Sequence, residues 1–418
     1  MAKPSKKHHY VPQAQLRHFA SDAERRSIQV FNKVTGKSYP SSILNAGSEN
    51  DFNTVKRRDK TVNFEDLFQT VDAASAEVVA RLVETRSLRW ITPPDLLAMA
   101  DLIAVQLLRT KLARSTPAVL AAELREGLRA LGIDPDEDRT LALPSEADAK
   151  IGTVRAFLDR EGHRRAIANL VPGLWKASGE ERFITSDHPV LTTNPFPYGD
   201  TGLTSQGVLV HLPISPTLML TMHCPTTVRR LEMLADVPET PVMLSALRDA
   251  LLSGQPYALR DAEVVELNRL QVAQAFAFLY ADCDRFDIAR ELILKRPKLR
   301  QNKSLLHLGK IGEGPGRRPR MPTGKHLVVY GKHDHAMIAI SEVDETGEGI
   351  TAATTDIGVL RAIAKDPELV SASLYQDGYE RRGMREVTVE LLDERGDGWF
   401  RIVHSDSGMR DLDRITRR

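Results

Sequence analysis

The stretch Phe183-Ile184-Thr185-Ser186-Asp187-His188-Pro189-Val190 marks a change in the hydrophobic period of the chain. Upstream of it, apolar residues recur every three to four positions, the period of a helix with one buried face. From Leu174 onward they recur every second position, at 183–185, 208–211 and 218–222, with Pro- and Gly-rich turns between. Helical spacing returns at 239–253 and 259–281. In the second of these, Val264, Leu267, Leu270, Val272, Ala275, Phe278 and Leu279 mark a buried face. The expected class is α+β, a mainly helical core packed on a small mixed β-sheet.

The upstream helices have readable starts. Asn63 is a suitable N-cap, followed by Phe64, Leu67, Phe68, Val71, Val78 and Leu82 on one face. Thr92-Pro93-Pro94-Asp95 opens a helix over 96–112, with proline in its first turn. That helix is apolar on most sides and is expected to be central. Thr116-Pro117 reads as the start of another helix ending at Gly132, and Ser145 as the start of a fourth reaching about Leu170. Near the N-terminus, alternation at 28–32, Gly36 and a resumed strand at 37–39 read as a hairpin.

Downstream, the stretch 295–325 carries ten basic residues against one acid, Glu313. Its glycines and prolines preclude regular structure, so 301–325 reads as a basic linker. Beyond it, strands are expected at 327–330, 336–343, 371–375, 386–392 and 399–404, with a helix near 357–364. The expected organisation is a core over 1–300, the linker, and an accessory α+β domain over 326–418.

The 418 residues carry 57 basic and 56 acidic side chains, a net charge of +1, so a charged partner must be met by a local patch. Cys224 and Cys283 are the only cysteines, which excludes a disulfide scaffold and a multi-cysteine zinc ribbon. The first residues lack the apolar run of a secretory signal, and the most apolar stretch, 96–108, is broken by Asp101 and Gln106. A cytoplasmic protein with no membrane partner is expected.

Four segments carry candidate chemistry. In Lys6-Lys7-His8-His9-Tyr10-Val11-Pro12-Gln13, adjacent histidines on a strand point to opposite sides, so one of them faces a given site. Lys7 beside them suits an anionic substrate. The same segment also suits a basic tail docked by Tyr10, Leu16 and Phe19. In the segment at 183–190, a strand tip delivers a hydroxyl, a carboxylate and an imidazole. Ser-Asp before Pro equally suits a turn in which the carboxylate satisfies backbone donors. On the apolar helix, Gln106 and Arg109 are polar positions that suit either an anion clamp or a structural ion pair, with Asp187 or Glu65 as the expected partner of Arg109. Lys332-His333-Asp334-His335 places two histidines at strand alternation, and also suits a solvated hairpin.

His8-His9-Tyr10-Val11-Pro12-Gln13 with Leu16 and Phe19, the 183–189 segment, Leu212-Pro213-Ile214-Ser215-Pro216 and Glu266-Leu267-Asn268-Arg269 together resemble the bacterial family catalogued as domain of unknown function 4238. The resemblance covers about residues 6–283. Some members of that family sit in phage-defence loci. His-His-x-x-Pro also looks like the first strand of His-Asn-His endonucleases, where an imidazole activates water beside a divalent metal. Asn50 and Asn53 are available, but no histidine lies between His18 and His163, so that motif is incomplete.

The expectation is therefore a metal-assisted nuclease or phosphodiesterase-type hydrolase, a candidate phage-defence effector. His9 would be the general base and Asp187 its catalytic partner. His8, Glu49 and Asp187 would ligate a divalent metal ion, and Lys7 and Arg109 would contact the anion. Nucleic acid or nucleotide would meet the basic 295–325 stretch by counterion release. On this reading, His9→Ala and Asp187→Ala each abolish activity and leave the fold intact. The alternative is a non-catalytic ligand-sensing or binding module.

Overall fold

A computed structural model describes residues 7–130 apart from 51, 53, 58, 59 and 64, residue 134, residues 160–195, 201–233 apart from 206, 242–300, and the strands between 325 and 404. Chain contacts divide the molecule into two units. One comprises 1–191, 211–221 and 254–316, the other 192–210, 222–253 and 317–418.

The first unit begins with strand β1 (Lys7–His9), the short helix α1 (Gln13–Arg17), the hairpin β2 (Ser27–Asn32) and β3 (Lys37–Ser42), strand β4 (Ser48–Asn50), and a second hairpin of β5 (Thr54–Arg57) and β6 (Lys60–Asn63). Gly36 turns the first hairpin at φ +75°, a conformation that side chains with a Cβ rarely adopt. β1 pairs antiparallel with β4, His8 opposite Glu49.

Helices α2 (Glu65–Thr85) and α3 (Pro93–Arg109) follow. Phe68, Val71, Val78, Val79 and Leu82 of α2 are buried at helical spacing. At the start of α3, the Asp95 carboxylate accepts from the Thr92 N–H at 2.9 Å, which satisfies one of the free amides of the first turn. Met99, Ala100, Leu102, Ile103, Ala104, Val105, Gln106 and Arg109 are buried, so the helix is central as its composition predicts.

The next boundary differs from expectation. α4 spans Lys111–Ala130 and contains Pro117. The break falls at Thr110, whose extended backbone ends α3 and whose hydroxyl oxygen accepts the Ala113 N–H at 3.3 Å. A hydroxyl cap nearly two turns upstream thus replaces the Thr116-Pro117 start. Helix α5 (Arg160–Ala168) is the described part of the fourth helix; its expected beginning lies outside the described residues.

Strands β7 (Val171–Ala177), β8 (Thr185–Ser186), β9 (Leu191–Thr193), β10 (Leu209–Ser215) and β11 (Leu218–His223) come next. Helices α6 (Pro225–Met233) and α7 (Val242–Ser253) precede β12 (Tyr257–Leu259). One sheet has the order β12-β7-β11-β10-β9, with β12 parallel to β7. Helix α8 (Asp261–Gln274) stops earlier than its apolar period suggests, and Phe278–Ala281 forms strand β13. β13 sits between β2 and β8 in an antiparallel sheet of order β3-β2-β13-β8. Phe278 and Leu279 therefore continue an apolar run on a strand, because pairing with β2 and β8 wins over helical spacing. Helix α9 (Asp287–Lys295) and a 3₁₀ turn (Pro297–Arg300) close the unit. Tyr10, Val11, Leu16, Phe19, Ile28, Val30 and Tyr280 share one apolar cluster, which anchors the N-terminal segment to β13.

The second unit contains α6, α7 and the strands β14 (Lys325–Gly331), β15 (Met337–Val343), β16 (Ile350–Ala352), β17 (Leu369–Gln376) and β18 (Tyr379–Arg385), in the order β16-β15-β14-β17-β18. β19 (Val387–Leu391) pairs with β20 (Phe400–His404). The outer strands β16 and β18 are additions to the sequence reading. β16 is three residues long, and the charges of β18 conceal its period, as is common on edges. Of the expected 301–325 linker, Lys325 begins β14 and the rest lies outside the described residues, as do the helix near 357–364 and the 332–335 histidine pair.

The described architecture is mixed α+β with several small sheets. No described helix is long and apolar enough to cross a membrane.

Candidate functional site

Strand alternation separates the two histidines of β1. His8 is buried, while Lys7 and His9 are half-buried on the other face. The turn beneath β1 is set by Gly47, whose φ is +60° and whose carbonyl accepts the Tyr10 N–H at 2.8 Å and the Val11 N–H at 3.2 Å. A Cβ on Gly47 would lie 3.0 Å from the Val11 Cβ, so the close approach also requires glycine. The Tyr280 hydroxyl accepts the Gly47 N–H at 3.1 Å and ties this turn to β13.

Lys7 and His9 open into a cleft of about 330 Å³. Its other walls are Pro12, Gln13 and Ala14 on one side, and Glu65, Gln69, Asp72, Ala73 and Ala76 of α2 on the other, with Leu44 at the edge. The α2 residues recur at helical spacing, so one polar stripe faces the cleft while the apolar stripe faces the core.

His9 Nε2 lies 3.2 Å from the Leu44 carbonyl oxygen. A carbonyl only accepts, so this nitrogen carries the proton and the lone pair of the neutral ring rests on Nδ1. Burial lowers the His9 pKa below its ordinary value; the Leu44 carbonyl and the Glu65 charge act against that shift. A neutral imidazole with one fixed tautomer is a competent proton acceptor near neutral pH.

Asp72, at the far wall, is held from behind. Arg109 is fully buried and donates from its two terminal nitrogens to the two Asp72 oxygens at 3.0 and 2.9 Å. With the Gln106 amide oxygen facing Arg109, Gln106 accepts from Nε at 3.1 Å and donates to the Tyr10 carbonyl at 3.2 Å. The partner of Arg109 is thus Asp72, in place of the expected Asp187 or Glu65. Bidentate geometry favours it, because α2 brings that carboxylate into the plane of the guanidinium. Arg109 does not line the cleft; it holds Asp72 from behind, and its charge helps to lower the His9 pKa.

Asp187 occupies a different place. It is wholly buried and accepts the Phe276 N–H at 2.8 Å, the Ala277 N–H at 2.7 Å and the Phe278 N–H at 2.9 Å. Lys33, also buried, donates to the Val272 carbonyl at 3.2 Å and to the Ala275 carbonyl. The carboxylate and the ammonium therefore hold the α8–β13 junction, one through its amides and the other through its carbonyls. Burial raises the Asp187 pKa, against the pull of the three amides and Lys33. Burial also lowers the Lys33 pKa to about 8.

The neighbours of Asp187 are engaged in the same way. The Ser186 hydroxyl donates to the His188 carbonyl at 2.8 Å and accepts from the His188 N–H at 2.9 Å and from Gln271 Nε2 at 2.6 Å. His188 Nδ1 is bonded to the Thr110 hydroxyl at 2.8 Å.

Of the three expected metal ligands, His8 and Glu49 are cross-strand neighbours and Asp187 is engaged elsewhere. His8 is buried opposite Glu49 in the β1–β4 ladder, Glu49 is ion-paired with Lys111, and Asp187 gives both oxygens to backbone amides. Among the described residues, no three His, Cys, Asp or Glu side chains are grouped to hold a metal ion.

A family model, described as a protein of unknown function (DUF4238), matches residues 7–285. The chain belongs to the DUF4238 family. The matched span begins at Lys7 and contains the whole lining of the cleft as well as Asp187 and the α8–β13 junction. No curated protein and no solved structure matches this DUF4238 chain.

Of the candidates, Lys7 and His9 share the cleft. Glu65, Gln69 and Asp72 join them as lining residues outside the predicted site. The signal that could have found them is the spacing of Glu65, Gln69, Asp72 and Ala76, a polar and small-residue stripe on the face of α2 that lacks the large apolar residues.

Proposed function

We propose that the chain is a phosphodiesterase-type hydrolase working in the Lys7–His9 cleft. The observation that carries the reading is the shared face of β1, which presents an ammonium and a neutral, tautomer-fixed imidazole to one cavity. The cavity volume lies within the range of small-molecule sites, about 300–1,000 Å³. Lys7 binds a phosphate oxygen. His9 Nδ1 takes the proton of a water whose oxygen attacks phosphorus; the bond from phosphorus to the leaving oxygen breaks, and that oxygen takes a proton from solvent.

Glu65 and Asp72 bring negative charge to the wall opposite Lys7. This favours a substrate with one phosphodiester over a polyanion threaded through the cleft. If a divalent metal ion serves the reaction, Glu65 is the candidate ligand in the cleft, since Arg109 holds both Asp72 oxygens. Nucleic-acid or nucleotide contact through the basic 295–325 stretch, and a role in phage defence, belong to the same proposal.

The test is hydrolysis of a chromogenic phosphodiester by the purified chain, with and without added Mg²⁺, Mn²⁺ or a chelator. Turnover that is lost in His9→Gln and weakened in Lys7→Ala supports the reading.

A second reading, a ligand-binding module, is favoured by the structural engagement of Arg109 and Asp187. Saturable binding of a nucleotide to both wild type and His9→Gln, without turnover in either, supports that one.

A further inference from the structure

The charges of the cleft are divided between its walls. Lys7 stands on β1, and Glu65 and Asp72 stand on α2. Asp72 gives both oxygens to the fully buried Arg109, so its charge is matched within the protein. Glu65, half-buried at the start of α2, is the lining carboxylate outside that pair. Its charge is felt at His9, where it opposes the effect of burial on the ring, so the carboxylate acts on the interior of the cleft. Gln69 follows Glu65 at the i+4 position and lines the same wall. Its amide oxygen is a second acceptor on that face.

This division of charge selects among phosphodiesters. A diester held by Lys7 carries one negative charge. A second anionic group on it would meet Glu65 across a cavity of about 330 Å³ and be repelled. A cationic group would turn that repulsion into attraction, and would satisfy both walls at once. The group must sit on a short arm, because the cavity lies at the small end of the range for ligand sites.

The kind of cation follows from the lining. None of the described lining residues is aromatic. A quaternary ammonium has no N–H to donate and is ordinarily held on aromatic faces. A primary ammonium has three donors, which suit the Glu65 carboxylate and the Gln69 amide oxygen.

We propose that the substrate is a zwitterionic phosphodiester, with its phosphate on Lys7 beside His9 and a primary ammonium, on a short arm, bound by Glu65 and Gln69. This substrate class rests on the hydrolase reading above. Glu65 is then the residue that sets specificity, while His9 performs the chemistry.

The experiment compares three diesters that share a glycerol arm: glycerophosphoethanolamine, glycerophosphocholine and glycerophosphoglycerol. Calorimetry measures their affinity for the full chain carrying His9→Gln, with a chelator present because a divalent metal ion would compete for Glu65. Turnover of each by wild type is measured with and without Mg²⁺. The expected result is about tenfold tighter binding of the ethanolamine diester than of the other two, the size of one charge-assisted hydrogen bond. Glu65→Gln is expected to erase that preference, and Lys7→Ala to weaken all three diesters alike. Equal affinities, no binding of any of the three, or a preference that survives in folded Glu65→Gln overturns the proposal. Equal turnover of all three also overturns it, and leaves the hydrolase reading standing. Selective binding of the ethanolamine diester with no turnover of any diester supports the zwitterion site and overturns the hydrolase reading.

Discussion

Arg109 and Asp72 form a bidentate ion pair in which the guanidinium is fully buried and the carboxylate is 22% exposed at the cleft wall. The pair joins α3 to α2, and Gln106 extends the connection to the backbone of Tyr10, the residue after His9. Both walls of the cleft are thus tied to one buried arginine. Replacing Arg109 by Met leaves the Asp72 and Gln106 oxygens without their donor. Breaking a buried pair from one side costs about 3–5 kcal/mol. Urea unfolding of Arg109→Met is expected to show that loss, and Arg109→Lys is expected to recover only part of it, because an ammonium cannot make the bidentate contact.

Asp187→Ala is expected to unfold the protein rather than to leave an inactive fold. It strands the buried Ala277 amide and the part-buried amides of Phe276 and Phe278 at the α8–β13 junction, and leaves Lys33 without its neighbouring carboxylate. Each unsatisfied buried donor costs about 1–3 kcal/mol. Far-ultraviolet circular dichroism and a urea melt check this. A folded, fully stable Asp187→Ala that has lost activity would restore the catalytic reading of that residue.

Stability is expected to fall as pH drops from neutral toward 4. Burial lowers the His188 pKa to about 4 and the His223 pKa to about 3, from an ordinary 6.5. Between 6.5 and those values the unfolded chain binds protons that the folded chain does not, so the folded state loses ground as pH falls. Each histidine contributes a slope of up to about 1.4 kcal/mol per pH unit. Melts between pH 4.5 and 7.5 measure the slope, and His188→Gln is expected to flatten it by one histidine's share.

Some of this organisation was readable in the sequence and some was not. The alternation of Lys7, His8 and His9 predicts that one histidine faces away from any site, and His8 does. The polar break of α3 at Gln106 and Arg109 is equally visible as two charged or amide groups on an apolar helix. The end of α8 is not visible, because Phe278 and Leu279 extend its apolar period, and only pairing with β2 and β8 makes them a strand. Asp187 has the same local sequence whether it caps backbone or serves catalysis; the choice depends on residues 276–278, about 90 positions away. Asp72 carries no motif at all. Its role arises when α3 places Arg109 behind it.

Lys7→Ala is expected to raise KM with little change in kcat, since Lys7 binds the phosphate in ground and transition states alike. Steady-state kinetics on the chromogenic diester checks this, and a loss confined to kcat would place Lys7 in the chemical step instead.

The most direct test of the central claim is the rate of that diester's hydrolysis by wild type and His9→Gln, at equal folded concentration and across pH. A general base contributes about 10²–10⁴-fold. The account predicts a loss of that size in His9→Gln. It also predicts a wild-type rate that rises with pH through a midpoint below the ordinary histidine value of 6.5, as burial of His9 requires. Equal rates in the two proteins would contradict it.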